Sequence, residues 1–336
     1  TPFDQPIYVT RPMLPPLGDY TALLQDVWAS GWLANGGAQH QALEAELAQW
    51  LQVPHLSLFN NGTIALVVAC QALRLAGEVI TTPFTFPATP HVLRWNNITP
   101  VFADIDPETL CIDPAGVESR VTPSTTGILG VHVYGVPCDV HALDGIARSH
   151  GLRVVYDGAH AFGTQIDGQT IASFGDATML SFHATKLFHT AEGGALAVND
   201  PELKQRIDLL KNFGIKNEEE VVMPGINGKM SELQAALEQQ DHAKLQQAAA
   251  ELQQQLQGFN QALNSVNLTT QEISGIRQKL LAANEQALAS PLLNGQAAFS
   301  PADFKKIEQQ IGSIQSEMLK LAGMLMQSSG ESAKSS

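Results

Sequence analysis

Cysteine is scarce in this chain. Three occur in 336 residues, Cys70, Cys111 and Cys138, an odd number without the spacing of a zinc site or a disulfide framework. A reducing compartment, the cytoplasm, is therefore expected. Basic residues are outnumbered, 19 Lys and Arg against 33 Asp and Glu, leaving a net charge of −14. A chain this acidic is repelled by a phosphate backbone, so nucleic acid is not an expected partner. No apolar run approaches the roughly 18 residues that a membrane helix needs. The first ten residues, TPFDQPIYVT, lack a basic stretch followed by an apolar one, so neither a signal peptide nor a membrane anchor is expected. The GxGxxG and Walker fingerprints of dinucleotide and nucleoside triphosphate sites are also missing. What is present, 44% apolar residues with ordinary Gly and Pro, is enough for one large globular domain or two smaller ones.

The composition changes near residue 238. Before it lie all three Cys, all four Trp, all four Tyr and nearly all of the net negative charge. After it the chain turns to Gln, Ala, Leu and Ser. In the first part, β-rich runs at 55–59, 79–82, 101–105, 127–134, 153–156, 178–182 and 195–198 alternate with helical patterns at 63–75, 87–95 and 140–150. That alternation predicts an α/β domain with a mostly parallel sheet flanked by helices, binding its ligands at the carboxyl ends of the strands. In the second part, Leu245, Ala249, Leu252, Leu256, Phe259, Leu263 and Val266 step by four and three, as do Phe304, Ile307, Ile311, Ile314, Met318, Leu321 and Leu325. These a/d patterns predict an all-α helical hairpin or coiled coil over 239–326, ahead of a polar tail at 327–336 read as disordered.

Four elements of the first part carry chemistry. Lys186 follows a buried strand in a segment poor in charge, SFHATK. Desolvation lowers an amine's pKa and leaves a nucleophile able to form a Schiff base with an aldehyde. The same placement also suits a lysine that merely reaches solvent. Asp157 ends the apolar strand VVYD. A carboxylate there can hold the proton of a heteroaromatic nitrogen, as in pyridoxal phosphate (PLP) enzymes, or simply cap the next helix. Asn61-Gly62-Thr63 joins a strand to a helix whose first amides, with the Thr63 hydroxyl, can bind phosphate; turns of this composition also just connect. The segment Pro83-Phe84-Thr85-Phe86 puts an aromatic at a strand end, where it can stack on a cofactor ring or serve as core. His132, Cys138 and His141 match no common zinc spacing and read as structural, so no metal is expected.

Individually modest, the four elements occur in one order, each at a strand end. With SGWLANGG (30–37), NGTIAL (61–66), DGAH (157–160), EGGA (192–195) and GINGKMSELQAA (225–236), they make the chain resemble the DegT/DnrJ type of nucleotide-sugar aminotransferases, PLP enzymes of fold type I. The likeness runs from about Ile7 to Leu237. The opening IYVTRPMLPPL and the FHATK segment are most similar to members that aminate C4 of a dTDP-4-keto-6-deoxyhexose.

The resemblance implies a PLP-binding large domain over 1–238 and a role for each matching residue. Lys186 would carry PLP and move the proton. Asp157 would pair with the pyridine nitrogen, and His160, where many relatives have Gln, would lie near the pyridoxal 3′-oxygen. Phe86 would stack on the ring. Gly62, Thr63 and Ser181 would hold the phosphate, and Asn227 would reach the phosphate of the neighbouring subunit in a homodimer with a shared active site. The implied reaction is transamination of a nucleotide-linked keto sugar with glutamate as donor, in amino-sugar biosynthesis for surface polysaccharide or glycan. Lysine rather than histidine at 186 favours transamination over dehydration. Because the likeness ends near Leu237, before the small C-terminal domain of the relatives, a second reading stands beside it. That reading is an inactive, chimeric aminotransferase domain serving helical interaction or oligomerisation.

Overall fold

The computed structural model describes residues 14–217 and 219–237, with Pro12 and Leu281 besides. The chain divides into two units, Thr1–Gln239 and Gln240–Ser336, and the described fold is that of the first. The heptad helices expected over 239–326 and the tail 327–336 lie outside the described residues.

Two helices, α1 (Leu17–Ser30) and α2 (Ala38–Trp50), precede the first strand, β1 (His55–Phe59). The chain then alternates: α3 (Gly62–Ala72), β2 (Glu78–Thr81), α4 (Ala88–Trp95), β3 (Thr99–Phe102), α5 (Pro114–Glu118), β4 (Thr125–Val131), α6 (Val140–His150) and β5 (Arg153–Asp157). A small hairpin, β6 (Gln165–Ile166) and β7 (Gln169–Thr170), leads to β8 (Ala177–Ser181) and β9 (Gly194–Val198). Finally come α7 (Pro201–Leu210) and α8 (Glu232–Ala236).

Seven strands form one sheet in the order β1-β9-β8-β5-β4-β2-β3. The pairs from β8 through β5, β4 and β2 to β3 are parallel, and β9 runs antiparallel to both β1 and β8. Strand alternation sends Val155, Leu129, Met179 and Leu196 to one face with α3, α4 and α7. Val154, Tyr156, Ile80 and Ile128 go to the other face with α5 and α6, and Leu56, Leu58, Leu180 and Ala197 pack there with α2. Both faces are buried, which is why the strands read as unbroken apolar runs such as GALAV.

The strands fall where the sequence predicts them, with local differences. The run 127–134 does not stay extended: β4 stops at Val131, and Tyr134 turns left-handed at φ 52°, followed by Gly135 at 86°. The run expected at 101–105 pairs as β3 from Thr99 and leaves the sheet after Phe102.

Candidate active site

The strand directions bring one set of ends together. Because β9 is antiparallel to its neighbours, β1 and β8 run the same way, and Gly194 pairs with Phe59 on one side and Ser181 on the other. Gly62, three residues past the end of β1 and the first of α3, therefore meets the end of β8. A Cβ on Gly62 would lie 2.8 Å from Met179 Sδ and 3.3 Å from Ser181 Cβ, so only glycine leaves this notch open. Asn61 caps α3: its Oδ1 accepts from the Ile64 amide at 2.8 Å and its carbonyl from the Ala65 amide at 3.2 Å. The amides of Gly62 and Thr63 remain at the positive end of the helix, beside an exposed Thr63 and a half-buried Ser181. That is a cradle for an anion.

Lys186 sits in the hairpin loop between β8 and β9. The loop is closed by Phe182 N to Gly193 O at 2.9 Å and Ala184 N to Ala191 O at 2.8 Å, and the Lys186 amide donates to His183 O at 2.8 Å. The His183 ring in turn meets Thr185 Oγ1 at 2.8 Å. A short, cross-bonded loop holds the amine at the same sheet edge as the cradle. Partial burial pulls the Lys186 amine below the ordinary lysine range, against the opposing charge of Asp157.

Asp157 is the last residue of β5, next to β8, and only 4% exposed. Thr89 Oγ1 donates to its Oδ2 at 2.8 Å and the Ala159 amide to its Oδ1 at 3.1 Å. Burial pushes the carboxyl up, while these two bonds and the positive charges of His160 and Lys186 pull it down. Each oxygen thus has one neutral donor and a lone pair to spare for a cation. His160 completes the group. Burial and then the Lys186 charge lower its imidazole pKa, and Asp157 opposes them. Asp157, His160 and Lys186 are therefore near enough for the charge of each to bear on the others.

An aromatic wall borders that space. Tyr134 stacks on His160 at 5.9 Å and 12°, and Phe84 meets Tyr134 edge-on at 6.4 Å and 88°. Phe86 stands just before α4, 72% exposed, its carbonyl accepting the Thr89 amide at 3.1 Å. Phe86 and the Asp157 partner Thr89 thus share one turn.

Asn227 lies on the cradle side. Asn60 donates from Nδ2 to Asn227 O at 3.4 Å and from its amide to Gly228 O at 2.8 Å, placing the 227–228 backbone beside the turn that carries Gly62 of the same chain. Gln234, held in a capping box with Ser231, donates to Asn60 O at 3.4 Å and Glu192 O at 2.7 Å. It ties the cradle turn to the far end of the Lys186 hairpin. The sequence reading missed Thr89, Tyr134 and Gln234. A buried threonine in the apolar pattern 87–95 and the Ser-x-x-Gln spacing were the available signals. His132 is used locally, its Nδ1 accepting the Cys138 amide at 3.0 Å, and His141 rests edge-on against Phe174.

The chain is similar to known proteins. The DegT/DnrJ/EryC1/StrS aminotransferase family matches residues 18–297, which extends beyond Leu237, where the motif likeness stops. A dTDP-4-amino-4,6-dideoxy-D-glucose transaminase of Shigella dysenteriae is 51% identical over 233 residues, covering 69% of this chain and 64% of that protein. One of the same description from Escherichia coli is 48% identical over 238 residues, covering 69% and 63%. The chain thus spans a little under two thirds of the length of these relatives. Among solved structures, DesI with its TDP-sugar product aligns with a TM-score of 0.68 at 40% identity, covering 74% of this chain and 66% of that one. The inactive-chimera reading gains no support from these relatives.

Proposed function

The chain belongs to the DegT/DnrJ/EryC1/StrS aminotransferase family, and from that premise we propose that it transaminates a nucleotide-linked keto sugar with PLP as cofactor and glutamate as donor. The substrate we propose is a dTDP-4-keto-6-deoxyhexose, in line with the relatives that share about half of the aligned residues. The observation that carries the reading is that Asp157, buried and bonded to Thr89, ends β5 directly beside β8, whose following loop carries Lys186.

The residues fit PLP. A phosphate suits the open α3 amides, and the notch that a Gly62 side chain would fill gives it room. A protonated pyridine nitrogen suits a buried carboxylate whose desolvation calls for a cation. When bound, PLP would supply an aldehyde carbon that takes up the amino group and a protonated ring that draws electrons from the reacting carbon.

The chain's own groups do the rest. Asp157, oriented by Thr89 and the Ala159 amide, would pair with the protonated ring nitrogen. Lys186 Nζ, with its pKa lowered, would take the proton from the donor's α-carbon and later deliver one to the sugar carbon. His160 would lie near the 3′-oxygen, Phe86 would stack on the ring, and Gly62, Thr63 and Ser181 would hold the phosphate. In the homodimer we propose, Asn227 of each subunit completes the phosphate site of the other.

The test is spectroscopic. The protein with PLP is expected to absorb in the near-violet, and glutamate alone should bleach that band as the amino group is transferred. A protein that stays colourless with PLP, or a band that glutamate leaves untouched, would sink the reading.

A further inference from the structure

Thr89 sits on the first turn of α4, fully buried. Its hydroxyl has two partners, Asp157 Oδ2 at 2.8 Å and Thr85 Oγ1 at 2.7 Å. A hydroxyl has one proton to give and two lone pairs to receive with. The proton goes to the carboxylate, so toward Thr85 the Thr89 oxygen can only accept, and Thr85 donates. The result is a chain of two hydroxyls, both directing their protons toward Asp157. It starts at the half-buried Thr85 and ends on a carboxyl that is 4% exposed. The backbone fixes the spacing, since the Thr89 amide donates to Phe86 O at 3.1 Å and folds 85–89 into one turn.

Such a chain distinguishes the two forms of the acid. A carboxylate only accepts, and a hydrogen bond to an ion is roughly twice as strong as one between neutral groups. A protonated carboxyl either receives a neutral bond from Thr89 or turns both hydroxyls round to donate to it. In neither case does the chain end on an ion. Each hydroxyl polarises the next, so the outer one adds to the inner. The chain thus opposes the burial that pushes the carboxyl up. The charged groups that face Asp157 are Lys186, in the β8–β9 loop, and His160, just after β5. β4 leads into His132, whose pKa burial lowers to about 4, so that it is neutral above that value. β8 sets Met179 beside Asp157, and His91 and Arg94 of α4 are exposed.

We propose that Thr85 and Thr89 are positioning residues, a two-hydroxyl chain that holds Asp157 as a carboxylate aimed at the ring nitrogen of the cofactor. The nitrogen as target rests on the PLP reading, whereas the action of the chain on the carboxyl does not.

The full chain without PLP tests the hydroxyls apart from the cofactor. Melting temperature is followed across pH for the parent, Thr89→Val, Thr89→Ser and Thr85→Val, each also in an Asp157→Asn background. Stability is lost as pH rises through the raised Asp157 value, so removing a donor to the carboxylate should carry that loss to higher pH. Thr89→Val should move the upper end of the window up by about one pH unit, the worth of a hydrogen bond to a charged group. Thr85→Val should move it less, in the same direction, and Thr89→Ser, which keeps the hydroxyl, should match the parent. In the Asp157→Asn background the substitutions should leave the pH profile unchanged. Thr85 is half-buried and reaches Asp157 through Thr89, so Thr85→Val decides if Thr89→Val does not fold. A window unmoved in the folded valine variants, or moved equally in the Asp157→Asn background, would overturn the proposal. With cofactor, Thr89→Val should lower the affinity for PLP several-fold but not that for its 1-deaza analogue, which has no ring nitrogen. Equal losses would overturn the nitrogen as target. A shifted window in a protein that binds no PLP would defeat the cofactor reading and leave the chain standing.

Discussion

Glu232 caps a helix that begins almost two hundred residues before it. Its Oε2 accepts the backbone amide of Gln39 at 2.8 Å, and its Oε1 the amide of His40 at 3.2 Å, at the start of α2. The carboxylate is 2% exposed, and a Cβ on Gly37 would lie 2.6 Å from its Cδ. The Gly-Gly and Ser-Glu-Leu-Gln motifs are thus two halves of one joint.

Glu232→Ala should therefore cost about 2–4 kcal/mol of stability, because two amides at a positive helix end lose a charged, buried acceptor. Glu232→Gln keeps an acceptor and should cost less. Urea denaturation of the purified variants reads both, and a Glu232→Ala protein as stable as the parent would remove the joint from the account. Gly37→Ala should destabilise as well, for want of space rather than of conformation, since Gly37 has an ordinary φ of −72°.

Asp157 makes the cofactor-free protein sensitive to pH in a defined direction. Its carboxyl is raised by burial, so the native state binds a proton more tightly than the unfolded chain does. Stability should then fall as pH rises from the ordinary carboxylate range through the raised value. Asp157→Asn removes that slope and should be the more stable apoprotein at neutral pH, while holding PLP less tightly. Melting temperature across pH, parent against variant, checks the sign. A parent that gains stability over that window relative to Asp157→Asn would contradict it.

The amine of Lys186 should react at lower pH than an ordinary lysine. Trapping PLP on the protein with borohydride should give a rate that climbs with pH through a midpoint below the usual lysine range. Asp157 raises that midpoint, so Asp157→Asn should move it further down. Lys186→Ala should take up no label. Mass spectrometry of the trapped peptide decides, and a label persisting in Lys186→Ala would assign the chemistry to another residue.

Gly62→Ala separates the phosphate from the rest of the cofactor. The added methyl meets Met179 and Ser181, and crowding of this kind costs about 1–3 kcal/mol. Affinity for PLP should fall while that for pyridoxal, which has no phosphate, changes little. Equal losses for the two ligands would place the phosphate elsewhere.

Much of this was legible in the residues. The strands announce themselves as short β-rich runs, and Asp157 and Lys186 stand out because each is a charge placed after an apolar strand. Thr89 did not stand out, since a threonine in a helical pattern looks like filler until its hydroxyl is seen on Asp157. The strand order was hidden too, because hydrophobic runs say which segments pair but not with whom.

What the sequence determined alone is local: which runs are buried, where helices are capped by Asn61 or Ser231, and which residue types carry chemistry. Such features depend on neighbours within a few positions, where steric fit and solvation are set by the chain itself. Only the tertiary structure decided that Gly62, Asp157, Ser181 and Lys186 share one edge. That follows from the antiparallel turn of β9, which aligns β1 with β8, and from burial on both faces of the sheet, which fixes the register.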